Sequence, residues 1–287
     1  MTSPLYTEIL DGLYENTVVH YLGPGVLFDA KNKLTGQAMP ADSNSLILAM
    51  NNGQPMAPKL MYEFPRAAMN LELKKGRNFL SQFLTKTYGE TEWTRAAIHD
   101  WLAHWQPAYV VDINRDTQLQ TSYADQEHTL IVGLARISAG PFRYKLYHFD
   151  GSGYFEISQD KTASHVPILF KPLGTPLPEP NYVASDADYV DYITELMGGF
   201  ALPEFLKHYR QGKKYLLLGM RLNRDSERMV MADIIRDGAE HKGWILLKDP
   251  TAKEQRYCQK VGLEIIDAGI EDWLDAVGFA VDQRKTA

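Results

Sequence analysis

Two short stretches carry residue types that could do chemistry. The first, Val18 to Asp29, is an apolar run broken at Gly23-Pro24-Gly25 and then resumed. A strand that turns abruptly on glycines can bring backbone N–H groups close to a bound phosphate, because glycine tolerates positive φ and carries no Cβ. Pro24 stiffens that turn and removes one donor. A tight turn after a core strand gives the same pattern, and Phe28 stands where the dinucleotide fingerprint of ordinary dehydrogenases requires a third glycine. The second stretch is Tyr109-Val110-Val111-Asp112-Ile113, running into Asn114-Arg115-Asp116. Open α/β sheets place ligand contacts beyond the carboxyl ends of their strands, where these polar residues fall. Residues two apart on a strand share a face, so Asp112 and Asn114 are expected to point together into any pocket there. An acid exposed at the strand end, or paired with Arg115 or another cation, and an Asn114 turning its amide onto its own backbone are the plainer alternatives.

The elements that must position these residues follow from periodicity. Short apolar runs predict strands at Thr17–Leu22, Tyr109–Ile113, Leu130–Ile137, Val166–Phe170, Tyr215–Leu218, Trp244–Leu247 and Glu264–Ile266, with a hairpin of Tyr144–Phe149 and Tyr154–Ile157 around Asp150-Gly151-Ser152-Gly153. Helical spacing is expected over Pro65–Lys86, interrupted at Gly76, and over Glu92–Trp105, with Trp101 and Trp105 as core. Asp186–Met197 reads as a helix capped by Ser185. Strands alternating with helices imply an α/β fold: a Rossmann-like, mainly parallel sheet of six or seven strands with helices on both faces. Residues 1–28 and 106–287 would form it, with residues 29–105 a helical insertion over the ligand.

The chain has 287 residues, 45% hydrophobic and 23% charged, with a formal net charge of −6 and a pI near 5.8. That mild acidity points away from nucleic acid and anionic membrane as partners. No apolar run reaches the roughly 20 residues that span a bilayer, and the first residues lack the pattern of a signal peptide, so a cytoplasmic location is expected. One cysteine, Cys258, excludes an intrachain disulfide and a zinc site built from several cysteines of this chain.

A third strand end, Leu216-Leu217-Leu218-Gly219-Met220-Arg221-Leu222-Asn223-Arg224-Asp225, completes a set. The order of the three resembles the sirtuin family, in particular its bacterial sirtuin-like NAD-consuming branch. That branch carries a Gly-x-Gly loop, a Thr-Thr-Asn-x-Asp segment, a Lys-Leu-His-Gly segment and a late Leu-Gly-x-Ser-x-x-Asp strand end. The resemblance spans Val18 to about Ile266 and implies NAD as substrate or ligand. It implies that Gly23, Pro24 and Gly25 contact the diphosphate, that Asn114 holds the nicotinamide ribose or its attacking water, and that Asp116 supports that loop. Gly219, Met220 and Arg221 would lie near the adenosine half, with Lys248 and Asp249 beside the adenine.

Two positions depart from the pattern. Lys171-Pro172-Leu173-Gly174 puts Leu173 in the place of the catalytic histidine, and Asp112 replaces a threonine. Leucine cannot act as a base, and loss of one typically costs ~10²- to 10⁴-fold. Asp112 could instead stabilise positive charge on the sugar or deprotonate a ribose hydroxyl, much as paired acids do in glycoside hydrolysis. Without a four-cysteine zinc module a protein deacylase is disfavoured. The readings kept are an NAD glycohydrolase releasing nicotinamide and ADP-ribose, with Asn114 and Asp112 catalytic, and a non-catalytic NAD or ADP-ribose sensor acting through a protein partner. Association with a second copy of the chain fits either one.

Overall fold

A computed structural model describes residues 4–135, 140–163 and 165–279. Helix α1 (Pro4–Tyr14) leads into β1 (Val18–Leu22) and a 3-10 turn at Pro24–Leu27. Between β1 and β2 (Tyr109–Asp112) run α2 (Ser43–Met50), α3 (Phe64–Lys75), α4 (Arg77–Thr85) and α5 (Ala97–Trp105). Then come α6 (Gln118–Ser122), β3 (His128–Gly133), β4 (Tyr144–Phe149), β5 (Tyr154–Glu156) and β6 (Ile168–Lys171). Two short strands, β7 (Gly174–Thr175) and β8 (Asn181–Tyr182), precede α7 (Asp186–Gly198) and α8 (Glu204–Tyr209). The remainder is β9 (Lys214–Leu218), α9 (Asp225–Ile234), β10 (Gly243–Leu246), α10 (Ala252–Val261), β11 (Leu263–Ile266) and α11 (Ile270–Ala276).

The main sheet has nine strands in the order β11-β10-β9-β1-β2-β6-β3-β4-β5. Every pairing from β11 to β3 is parallel, while β3–β4 and β4–β5 are antiparallel. The fold is therefore the expected Rossmann-like α/β arrangement, but wider than the six or seven strands anticipated. The β4–β5 hairpin joins the edge at β3 because Tyr144, Leu146 and Tyr147 have apolar surface to bury there. The last two residues expected in the β3 strand, Arg136 and Ile137, lie outside the described residues.

Period-2 alternation splits the strands between two cores. Val18, Leu22, Val110, Leu169, Leu216 and Leu218 face one, with α1, α5 and α11 over them. Val19, Tyr21, Val111, Phe170, Tyr215 and Leu217 face the other, under α7, α8 and α9. Strands buried on both faces read as unbroken apolar runs, which is why the sequence marked them so clearly.

Gly76, at φ 84°, separates α3 from α4 as expected. Helix α5 begins only at Ala97, and Trp101 is core whereas Trp105, expected there too, is exposed. Helix α7 begins after Ser185, but the capping acceptor is Asp188, whose Oδ2 takes the Ala184 and Ser185 amides at 3.1 and 3.0 Å. Among the described residues, no helix is long and apolar enough to cross a membrane.

Candidate functional site

From β1 the chain runs to β2 on one side of the sheet, and only much later to β9 on the other. The carboxyl ends of β1 and β9 thus flank the point where strand order reverses, the usual ligand position in open α/β sheets. A cleft of about 970 Å³ opens there. Its sheet side is formed by Pro24, Gly25, Gly219, Arg221, Arg224 and Glu227, and its opposite side by residues 37–45, Leu48 and Ala49 and by Phe83, Lys86 and Trp93.

The glycine loop is bonded to the end of β9. The Gly23 amide donates to Leu218 O and the Gly25 amide to Gly219 O, both at 2.8 Å. These two donors are engaged by the end of β9, so they do not point at a phosphate. The glycines are needed for close approach instead: a Cβ on Gly25 would stand 2.9 Å from Gly219 O and 3.0 Å from Gly219 Cα, and one on Gly23 would strike Met220 Sδ. Gly219 itself sits at φ 71°. One turn is laid directly upon the other, and their joined surface forms the floor of the cleft.

Asn114 is brought to the same place from β2. Its Nδ2 donates to Gly23 O at 3.1 Å and to Asp112 Oδ1 at 2.8 Å, and its backbone amide donates to the same Oδ1 at 2.9 Å. The carboxylate of Asp112 therefore turns under the loop. It is wholly buried, and its Oδ2 accepts from Lys171 Nζ at 2.6 Å, so the expectation that it shares an open pocket with Asn114 is corrected. The reason is electrostatic, since a fully desolvated carboxylate requires a cation, and β6 lies next to β2 and brings Lys171 within reach. Burial pushes the Asp112 carboxyl up to about 6, with Lys171 opposing that shift. Asp116 is also beneath the surface, where its Oδ1 takes the Gln118 amide at 2.8 Å.

Behind the cleft lies an inner cavity of about 20 Å³, lined by Pro24, Ile113, Asn114, Arg115, Leu173, Tyr88 and Glu227 among others. Leu173, in the histidine position of the resembled family, faces it. Arg115 is buried, with its guanidinium donating to Val183 O at 2.6 Å and to Tyr189 Oη at 3.1 Å and lying over the Phe64 ring. The insertion reaches this wall through Glu63, whose Oε1 accepts the Asp225 and Ser226 amides at the start of α9. Glu227, one residue on, borders both the cleft and the inner cavity. Burial pushes its carboxyl up to about 7; Arg224 pulls it down, while Glu63 and Asp42 raise it further.

Of the residues expected around the adenosine half, Gly219 and Arg221 border the cleft. Met220 is instead fully buried against Gly23. Lys248 and Asp249 are exposed beyond β10, outside the cleft walls; Lys248 O accepts from Arg221, and the Asp249 amide donates to Asp267. Arg115 and Lys171 stand in stretches the sequence singled out but were given no role in the site, and Glu63 and Glu227 were missed because nothing in their local sequence separates them from ordinary helix residues. For Lys171 the one hint was the acid at 112, for which pairing with Arg115 or another cation was among the readings.

Among the described residues there is no group of three or more His, Cys, Asp or Glu side chains able to hold a metal ion. A search of curated proteins returns no match to the chain. The family model for the SIR2-like domain matches residues 109–266, more than half of the chain. The chain belongs to the SIR2-like domain family, and that membership supports a sirtuin-like, NAD-related function.

Proposed function

For this member of the SIR2-like family we propose that the cleft binds NAD and that the protein hydrolyses its nicotinamide–ribose bond, releasing nicotinamide and ADP-ribose. The observation that carries this reading is the Asn114 side chain, hydrogen-bonded to Gly23 O where the glycine loop, the cleft and the inner cavity meet. Breaking the bond builds positive charge on the ribose. A fixed amide beside it aligns the sugar and its attacker without reorganising at the moment of reaction. Asp112 acts through Asn114: by accepting from both of its N–H groups it fixes the amide, and it is a positioning residue.

A volume of about 970 Å³ lies at the upper end of ordinary small-molecule sites. With the Gly23 and Gly25 amides engaged, we assign the diphosphate to Arg221 and Arg224 on the sheet side and Lys86 on the opposite wall. Residues 29–105 serve as a cap over the Rossmann-like part. The inner cavity has room for about one water, so nicotinamide entry requires Ala41, Ser43 and Tyr88 to draw back.

Leu173 favours a second reading, in which NAD or ADP-ribose is bound without turnover and its level is passed to a protein partner. Incubating the protein with NAD and quantifying nicotinamide separates the two, because only the hydrolase releases it. Calorimetry with NAD and ADP-ribose tests both: absence of binding by either ligand would refute them together.

A further inference from the structure

The acids around the inner cavity are nearly all committed to structure. Glu63 caps α9, Asp42 caps α2 through the Asn44 and Ser45 amides, and Asp112 is paired with Lys171. Glu227 differs from all three, since its carboxylate makes no hydrogen bond or ion pair with any described residue. Glu63 takes the first two amides of α9, those of Asp225 and Ser226, and Glu227, at the third position of that helix, forms no capping box and borders the cavity instead. It stands at the junction of cleft and cavity, on the same small space as Asn114 and Leu173.

We propose that Glu227 is the general base of NAD hydrolysis, taking the role that leucine at 173 cannot perform. This rests on the hydrolase reading above. In the step, Glu227 accepts a proton as a water O–H bond breaks, and the water oxygen bonds to C1′ of the ribose. The C1′–N bond breaks with its electron pair going to the ring nitrogen, so nicotinamide leaves neutral and ADP-ribose remains. The charge formerly on the pyridinium ring ends as the proton on Glu227, which is then lost to solvent through the open cleft.

The charged groups facing Glu227 balance it. Arg224 and Arg115 favour the carboxylate, while Glu63 and Asp42 favour the acid. Desolvation is the largest influence and brings the group to about 7, where base and conjugate acid are both populated at neutral pH.

The test uses full-length protein and its Glu227→Gln and Glu227→Ala variants, with nicotinamide release followed from pH 5 to 9 and NAD affinity measured by calorimetry. We expect the wild-type rate to rise through about pH 7 and level off. Glu227→Gln should keep its NAD affinity within about threefold while kcat falls roughly 10²- to 10⁴-fold and its pH profile becomes flat. Added formate should restore part of the Glu227→Ala rate, which a merely structural role would not allow. Wild-type turnover that persists undiminished in Glu227→Gln, or an unchanged pH profile, would overturn this inference and leave the hydrolase reading standing. A wild-type protein that binds NAD and releases no nicotinamide would overturn both.

Discussion

Asp112 and Lys171, both wholly buried and 2.6 Å apart, form an ion pair between adjacent strands directly beneath the amide of Asn114. Removing one partner leaves an uncompensated charge, so Lys171→Met should cost about 3–5 kcal/mol of stability. The sign with pH follows from burial. A carboxyl raised in the folded state binds protons better there than in the unfolded chain, so its contribution falls as pH rises. Without Lys171 that fall should steepen, and denaturant titrations should find the variant recovering at pH 5 and weakest near pH 8. Asp112→Leu with Lys171→Met should regain most of the stability but not NAD turnover, because nothing then fixes Asn114.

Asn114→Ala deletes the hydrogen bonds to Gly23 O and Asp112 Oδ1. We expect nicotinamide release to fall ~10²- to 10³-fold, as for loss of one preorganised transition-state contact, with NAD affinity changed far less. Equal losses in both would point to a role in binding alone.

Gly25→Ala tests why the loop is glycine. Its Cβ would meet the backbone of Gly219 at 2.9 and 3.0 Å, which no rotamer change relieves. A loss of about 1–3 kcal/mol is expected in thermal melts, together with weakened NAD binding as the two turns separate. Unchanged stability would show that the turns are not held this tightly.

Two histidines set the acid limit of the fold. His20 and His99 are buried, their ring nitrogens have no hydrogen-bond partner among the described residues, and burial brings each to about 3. Their folded values lie below the unfolded value of 6.5, so stability falls as pH drops from about 6.5 toward 3. His20→Leu should remove on the order of 4 kcal/mol of this acid penalty. Circular dichroism should show its acid midpoint moving to lower pH.

How much of this was legible in the sequence depended on range. The strands of both cores announced themselves because burial on both faces writes unbroken apolar runs, and Gly76 marked the α3–α4 break by itself. Asn114 could be found because it ends a strand and stands in a recognisable motif. What Asp112 touches could not, because β6 slips between β2 and β3 and brings a lysine 59 residues away beneath it. The glycine turn lies at the cleft, yet the destination of its amides depended on β9, nearly two hundred residues later. Met220, Lys248 and Asp249 follow strands of the same kind, but what a residue meets after a strand end is set by the local turn: Met220 is buried against Gly23, and Lys248 and Asp249 are exposed outside the cleft walls.

The most direct measurement is a crystal structure of the protein with NAD, using Glu227→Gln to slow turnover. The account predicts the diphosphate against Arg221 and Arg224, the nicotinamide ribose within hydrogen-bonding distance of Asn114, and an inner cavity widened by displacement of residues 41–43 and Tyr88. A dinucleotide bound with its nicotinamide end away from Asn114, or bound outside the space between the β1 and β9 turns, would contradict it.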